Sequence, residues 1–284
     1  MSTPWGMNNN TSIAILLATY NSAKYLAQQI ESILSQTNSD WSLYINDDGS
    51  KDNTLNICNS YINNHSGKIF LLNLNPKNVG ASLNFQALLQ EVDSSYYMFS
   101  DHDDLWLPGK IDVTLKAMRD LEHKYPKTCI LIHTDLTVVD ENLNVINPSF
   151  YKYSKIDPSK FSKFNYLGVA NCVTGCTVMI NHAVKKTVLP VPGTNVMHDW
   201  WIALNISKKG IISYVPEQTI LYRQHTKNIV GAKQIDIKYL LKILVNLRKI
   251  IRIDINNYRI INSLGYGSIL KYVIYKLLFQ FRRY

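Results

Sequence analysis

Two acidic runs carry the chemistry this chain can offer, Asp47-Asp48-Gly49-Ser50-Lys51-Asp52 and Asp101-His102-Asp103-Asp104. The second follows the apolar run Tyr96 to Phe99, so its carboxylates crowd the end of a buried strand unless a cation sits among them. Hard divalent ions such as Mg²⁺ or Mn²⁺ take one or two carboxylates plus the oxygens of a bound diphosphate. The i, i+2 spacing of Asp101 and Asp103 lets two side chains project to one side of an extended turn. Taken alone, the same residues also suit a solvated loop or a helix cap ahead of Pro108, because Asp is favoured at both. The first run can present a carboxylate to a base imide or a ribose hydroxyl, as acids at strand ends do in dinucleotide folds, or it can be a plain Asp-Gly-Ser turn.

These runs are positioned by alternating short apolar segments and longer segments of helical period, the pattern of βαβ units. Strands are expected at Ile13 to Ala18, Leu43 to Asn46, Ile69 to Leu74 and Tyr96 to Phe99. Helices between them carry Leu26, Ile30, Ile33 and Leu34, then Leu55, Cys58 and Ile62, then Ser82 to Val92. Right-handed crossovers put the carboxyl ends of all four strands on one edge, where open α/β sheets bind ligands. The residues after each strand are polar or acidic: Thr19-Tyr20-Asn21, Asp47 to Ser50, Asn75 to Gly80 and Ser100 to Asp104. The second half reads as mixed. Strands are expected at Ile130 to His133, Cys176 to Ile180, Ile211 to Tyr214 and Thr219 to Tyr222. A hairpin is expected over Val138 to Val145, a loop over Tyr151 to Asn165, and a helix over Met197 to Ile206.

Composition narrows the class. The 284 residues are 46% apolar, ample for a packed core, and the formal charge is +9. From Lys233 to Tyr284 there are eleven basic and two acidic residues, so the first 232 are neutral as a whole. A neutral body argues against nucleic acid as a partner, and the basic tail points to an anionic surface. The polar start, Met1 to Thr11, lacks the layout of a secretory signal and reads as a loose leader. Cys58, Cys129, Cys172 and Cys176 show no spacing of a disulfide frame or zinc knuckle and read as small core residues in a reducing cytoplasm. No stretch reaches the roughly 18 apolar residues of a membrane span.

The runs ILLATYNSAKYL (Ile15 to Leu26), NDDGSKDNT (Asn46 to Thr54), NPKNVGASLN (Asn75 to Asn84) and FSDHDDLWLPGKI (Phe99 to Ile111) together resemble the nucleotide-sugar half of the family 2 glycosyltransferases. The likeness continues through Gly175-Cys176, His198-Asp199-Trp200-Trp201 and Tyr222-Arg223-Gln224-His225 with Asn228 and Gly231, covering about residues 12 to 232. The Ser-Asp-x-Asp-Asp-x-Trp form is similar to that of bacterial rhamnosyltransferases.

That resemblance implies an α/β GT-A fold: a Rossmann-like, mostly parallel central sheet flanked by helices, with a C-terminal helical extension. The expected division is a leader at 1–11, a catalytic domain at 12–232 and a basic tail at 233–284, with the donor half at 12–111 and the acceptor half at 112–232. It implies inverting transfer of a sugar from a nucleoside diphosphate to an acceptor hydroxyl, with Mn²⁺ or Mg²⁺ as cofactor. Ala18 and Tyr20 then line the base pocket and Asp48 receives the base imide. Asn78, Gly80 and Asn84 belong to the donor-binding loop, and Asp101 faces the ribose or sugar. Asp103 is the first-choice metal ligand, joined by Asp101 and His225, while Asp104 is a second ligand or a helix-start residue. Arg223 and His225 finish the diphosphate side, and Lys227 to Ala232 closes over the donor. Asp199 matches the base position, where the alternative is a helix cap. The acid usual before it is replaced by His198. Trp200 and Trp201 either stack on a sugar or fill the core.

The expected donor is dTDP-rhamnose, with UDP-hexoses open, and the acceptor is a glycan or lipid-linked glycan. A non-catalytic sugar-nucleotide-binding scaffold and a nucleotidyl transferase are the competing classes. In the tail, Leu240, Leu244, Leu247, Ile251 and Ile255 recur at helical spacing opposite Lys238, Lys242 and Lys249, and a second apolar-basic segment runs from Ile269 to Phe281. Such helices either lie on an anionic membrane, here the inner face of the cell membrane, or pack on the catalytic domain or a second subunit as a homodimer.

Overall fold

The computed structural model describes residues 13–75, 77–191, 196–225 and 247–282. The leader, the segment Lys227 to Ala232 and the tail before Leu247 lie outside them. The described elements in chain order are β1 (Ile13–Thr19), α1 (Leu26–Leu34), β2 (Trp41–Asp47), α2 (Thr54–Asn64), β3 (Ile69–Leu72), α3 (Ala81–Glu91), β4 (Tyr96–Ser100) and β5 (Leu105–Trp106). There follow α4 (Lys110–Lys124), β6 (Cys129–Val139), β7 (Val145–Asn147), α5 (Phe150–Tyr153), α6 (Pro158–Phe161), α7 (Phe164–Leu167), β8 (Val178–Asn181) and α8 (His182–Val188). The last are α9 (His198–Lys209), β9 (Gly210–Arg223), α10 (Leu247–Ser263) and α11 (Ile269–Arg282).

The strands form one sheet in the order β3-β2-β1-β4-β8-β6-β9-β5, with β7 paired to β6. β3, β2, β1 and β4 are mutually parallel, as are β6 and β9, while β8 and β5 run against their neighbours. The expected mostly parallel sheet is present. Every residue of β1 is buried, as a strand covered by helices on both faces must be. Alternation sorts them: Ile13, Ile15 and Leu17 enter a core with α1 and α4, and Ala14, Leu16 and Ala18 enter one with α3 and α9.

Two expectations need correction. The segment Tyr151 to Asn165 is not simple loop. It contains α5, α6 and the start of α7, with Ser149 and Asp157 accepting backbone N–H groups at the starts of α5 and α6. The strands at Ile211 to Tyr214 and Thr219 to Tyr222 are one strand, β9. The register shift opposite Asp135 absorbs exposed Pro216 and Glu217 without ending the pairing to β6.

The C-terminal helices dock on the α5–α7 region. Tyr266 donates its hydroxyl to the carbonyl of Asn165 at 2.6 Å, Asn165 Nδ2 donates to the Tyr275 hydroxyl at 3.0 Å, and Phe279 meets Phe161 edge-on at 4.9 Å. Gly168 permits this approach, because a Cβ there would lie 2.3 Å from the Tyr266 ring.

Candidate active site

The carboxyl ends of β1, β2 and β4 share one edge, and the loops leaving them are stitched by side chain to backbone bonds. Thr19 Oγ1 and Ser50 Oγ donate to Asp47 Oδ2 at 2.9 and 2.6 Å, and the N–H groups of Gly49 and Ser50 donate to Asp47 Oδ1. Asn21 bridges the two loops, its N–H donating to Ser50 Oγ and its Oδ1 accepting from Lys51. Tyr20, partly exposed, stands at the rim, with Ala18 buried behind it.

Asp48 is buried, and its two carboxylate oxygens accept the N–H groups of Val79 and Gly80 at 2.8 and 2.7 Å. It therefore ties the loop before α3 to the end of β2, and only second lone pairs remain for a base. Asn84 is likewise engaged. It exchanges two hydrogen bonds with buried Asn46, at 2.7 and 3.0 Å, which makes it part of the frame under the pocket. Asn78 is exposed on the same loop.

The acidic loop after β4 is held from two sides. The pairing of β5 with β9 carries Asp103 and Asp104 to the end of β9. There the Arg223 N–H donates to Asp104 Oδ1 at 3.1 Å. The guanidinium donates to the carbonyls of Asp103 and Glu141 and to Gln28 Oε1, and lies 4.5 Å over the Tyr25 ring. Arg223 thus clamps the acidic loop from behind. His225 Nε2 lies 2.8 Å from Asp103 Oδ2, and its ring stacks on Tyr25.

From the other side, β8 runs beside β4 and brings the 3-10 turn Gly175–Thr177 against the acids. One ligand atom each from Asp101, Asp104 and Cys176 lies within 4.8 Å of the others. Burial, with Asp103 and Asp199 nearby, pushes Asp101 up to about 7. Burial, with Asp103 and Asp101 nearby, holds Asp104 well above the usual carboxylate range, and Asp104 Oδ2 meets no N–H or O–H donor among the described residues. The Cys176 thiol is pushed up too, by burial and then by Asp104 and Asp101, so it stays protonated at neutral pH. Lys110, fully buried, places its ammonium 4.7 Å over the Trp106 ring with no hydrogen-bond partner among the described residues. Burial lowers it to about 8.

A buried carboxylate oxygen with no N–H or O–H donor, beside a second carboxylate raised by burial and by its acidic neighbours, is what a divalent cation relieves, so these residues fit one. The oxygen donors are those of Asp101 and Asp104, with Asp103 and His225 next to them. The part played by Cys176 and Lys110 was not legible in the sequence. Cys176 reads as a core residue, and Lys110 is an unremarkable helix-start lysine.

Asp199 lies in the first turn of α9, where its carboxylate accepts the N–H groups of Gly175 and Trp200 at 3.1 and 2.6 Å. Burial outweighs those bonds and raises it to about 6. Next to it, His198 is buried against Phe85 and Phe99, ring centroids 4.2 and 5.1 Å away. Neither of its nitrogens has a partner among the described residues, and burial lowers it to about 3, so it is neutral. Gly175 is closely packed here, since a Cβ would lie 3.1 Å from His198 Nε2 and 3.3 Å from Asp199 Cβ and would press on both. Trp200 and Trp201 donate their indole N–H groups to the carbonyls of Leu167 and Val188, so both serve packing.

Comparison with known proteins gives a consistent result. The dTDP-rhamnosyl transferase RfbG of Shigella flexneri is 30% identical over 230 residues, spanning 76% of this chain and 74% of its own. The Escherichia coli UDP-Glc:alpha-D-GlcNAc-diphosphoundecaprenol beta-1,3-glucosyltransferase WfgD is 24% identical over 205 residues, 72% of each chain. Among solved structures, S. aureus TarS in complex with UDP-GlcNAc superposes with a TM-score of 0.55 at 17% identity, covering 78% of this chain and 61% of that one. The mannosyltransferase PcManGT from Pyrobaculum calidifontis, in complex with GDP-Man and Mn²⁺, gives 0.53 at 15% identity, covering 80% and 62%. The fold is GT-A. With the Glycosyl transferase family 2 profile matching residues 14–187, over the same strands and loops that build this edge, the chain belongs to glycosyl transferase family 2.

Proposed function

We propose that the protein is a metal-dependent inverting glycosyltransferase that moves L-rhamnose from dTDP-rhamnose to an acceptor hydroxyl in cell-surface polysaccharide synthesis. The observation that carries this is the convergence of Asp199 with the acidic loop: the Asp199 charge helps to raise Asp101, while two N–H groups hold the Asp199 carboxylate in place. A pure binder has no use for a base so positioned. Raised to about 6, Asp199 is ionised at neutral pH and basic enough to take the acceptor's proton as its oxygen attacks the anomeric carbon. The fixed N–H donors keep one carboxylate face aimed through the step. On the leaving side Asp101, Asp103, Asp104 and His225 would hold Mn²⁺ or Mg²⁺, which when bound supplies charge neutralisation for the departing diphosphate. Tyr20 and Ala18 line the base, and Asp48 fixes the loop that closes beside it.

RfbG supports the rhamnose donor, and WfgD supports UDP-hexose as a second reading. The acceptor proposed is a lipid-linked glycan, with the enzyme peripheral at the inner face of the cell membrane through its basic tail. No helix among the described residues is long and apolar enough to cross a membrane. The test is turnover of dTDP-rhamnose and of UDP-glucose on a lipid-linked acceptor, with Mn²⁺ and with chelator. Release of nucleoside diphosphate with inversion supports the proposal, and nucleotide incorporation into product overturns it.

A further inference from the structure

The two C-terminal helices leave an apolar face uncovered after docking on the catalytic body. At about 100° per residue, Ile269, Leu270, Val273, Ile274, Leu277 and Phe281 occupy a stripe about 140° wide on α11. All six are exposed, Leu270 by 66% and Phe281 by 77%. The residues that dock on the body, Tyr275 and Phe279, occupy the opposite side of the same helix, with Tyr272 beside them against α10 and Tyr266. Lys271 and Lys276 stand at the two borders between these faces. Three residues of the stripe, Ile269, Val273 and Leu277, also line a groove of about 310 Å³ between α10 and α11, together with Ile255 and Tyr258. Ile255 extends the exposed apolar surface onto α10.

Charge decides what covers this face. α10 and α11 carry Arg248, Lys249, Arg252, Arg259, Lys271, Lys276 and Arg282 against one acid, Asp254, and that acid is bound by Lys276. A second copy would bring the same positive field against itself, whereas a membrane with anionic headgroups meets both the cations and the apolar stripe.

We propose that this stripe, with Ile255 of α10, inserts into the headgroup and acyl boundary of an anionic membrane while Tyr275 and Phe279 keep the helix locked to the catalytic body. It deepens the peripheral-contact reading of the tail, and its test reads lipid binding with no transfer step, so the two fail separately. The full chain is floated with vesicles of 30% phosphatidylglycerol in phosphatidylcholine and with phosphatidylcholine alone. Binding is expected to the anionic vesicles, weakened by salt, and the double variant Leu270→Glu/Ile274→Glu is expected to lose at least about tenfold in affinity. The double variant should keep the thermal shift of the wild type on adding dTDP, which shows that its fold is intact. Failure of the wild type to float with anionic vesicles, or equal binding by the variant, overturns the proposal. So does a wild-type dimer, seen by light scattering, that the double variant turns to monomer without change in lipid binding.

Discussion

The loops after β1 and β2 and the cluster where β4 meets β8 stand on the same edge of one sheet, yet they treat polar groups in opposite ways. In the first, Asp47, Asp48, Asn46 and Asn84 spend their side chains on backbone N–H groups and on each other. In the second, Asp104 Oδ2 meets no N–H or O–H donor, and the Lys110 ammonium and both His198 nitrogens are buried without hydrogen-bond partners, among the described residues. An unmet buried polar group costs about 1–3 kcal/mol, so the second region stores what the first has already satisfied. On the proposed function the difference separates frame from reactive centre: the loops after β1 and β2 are set in advance, and the acidic side would be completed by ligand.

The contrast can be broken experimentally, beginning at the reactive side. Asp199→Asn should lower kcat by about 10²–10⁴-fold while calorimetry shows donor affinity little changed. Loss of binding in step with turnover would mean that Asp199 belongs to the frame. Chelation, or Asp103→Asn, should weaken donor binding by about tenfold or more and depress turnover further, since the diphosphate then faces raw carboxylates. Donor affinity indifferent to EDTA would remove the cation from the account. On the frame side, Asp48→Asn leaves one oxygen for two N–H donors. It should cost about 1–3 kcal/mol in denaturant unfolding and raise the donor KM with kcat nearly intact. Gly175→Ala should do the reverse, cutting kcat by about tenfold through displacement of Asp199 while KM for donor holds.

The smallest effect is one of pH. In the proposed mechanism ionised Asp199 is the active form, and its folded value lies above the ordinary 3.8, so the base would be lost as pH falls through about 6. kcat/KM should drop about tenfold per unit below that point. An acid limb near 4 would mean that the carboxylate is solvated after all.

Much of the donor side could be read from the chain because its signals are local. Apolar runs followed at once by Thr19-Tyr20-Asn21, Asp47-Asp48 and Ser100-Asp101 announce strand ends, and parallel strands align those ends without further information. The short helices α5, α6 and α7 escaped because four residues are too few to show a period of 3.6, although Ser149 and Asp157 marked two of the starts. Pro216 and Glu217 looked like a strand break. The long partner β6 carries the pairing across that bulge.

The order and type of the groups at each strand end were thus set by sequence alone: an acid-rich loop after β4, an Asp-Asp turn after β2, an Asp opening α9. Which of them touch was settled by strand order. Insertion of β8 next to β4 brought Gly175 and Cys176 to the carboxylates, and the pairing of β5 with β9 brought Arg223 and His225 onto Asp103 and Asp104. These contacts join residues 72 to 122 positions apart. No local pattern encodes such partners, because they follow from how the whole sheet buries its two apolar faces and satisfies its backbone at once.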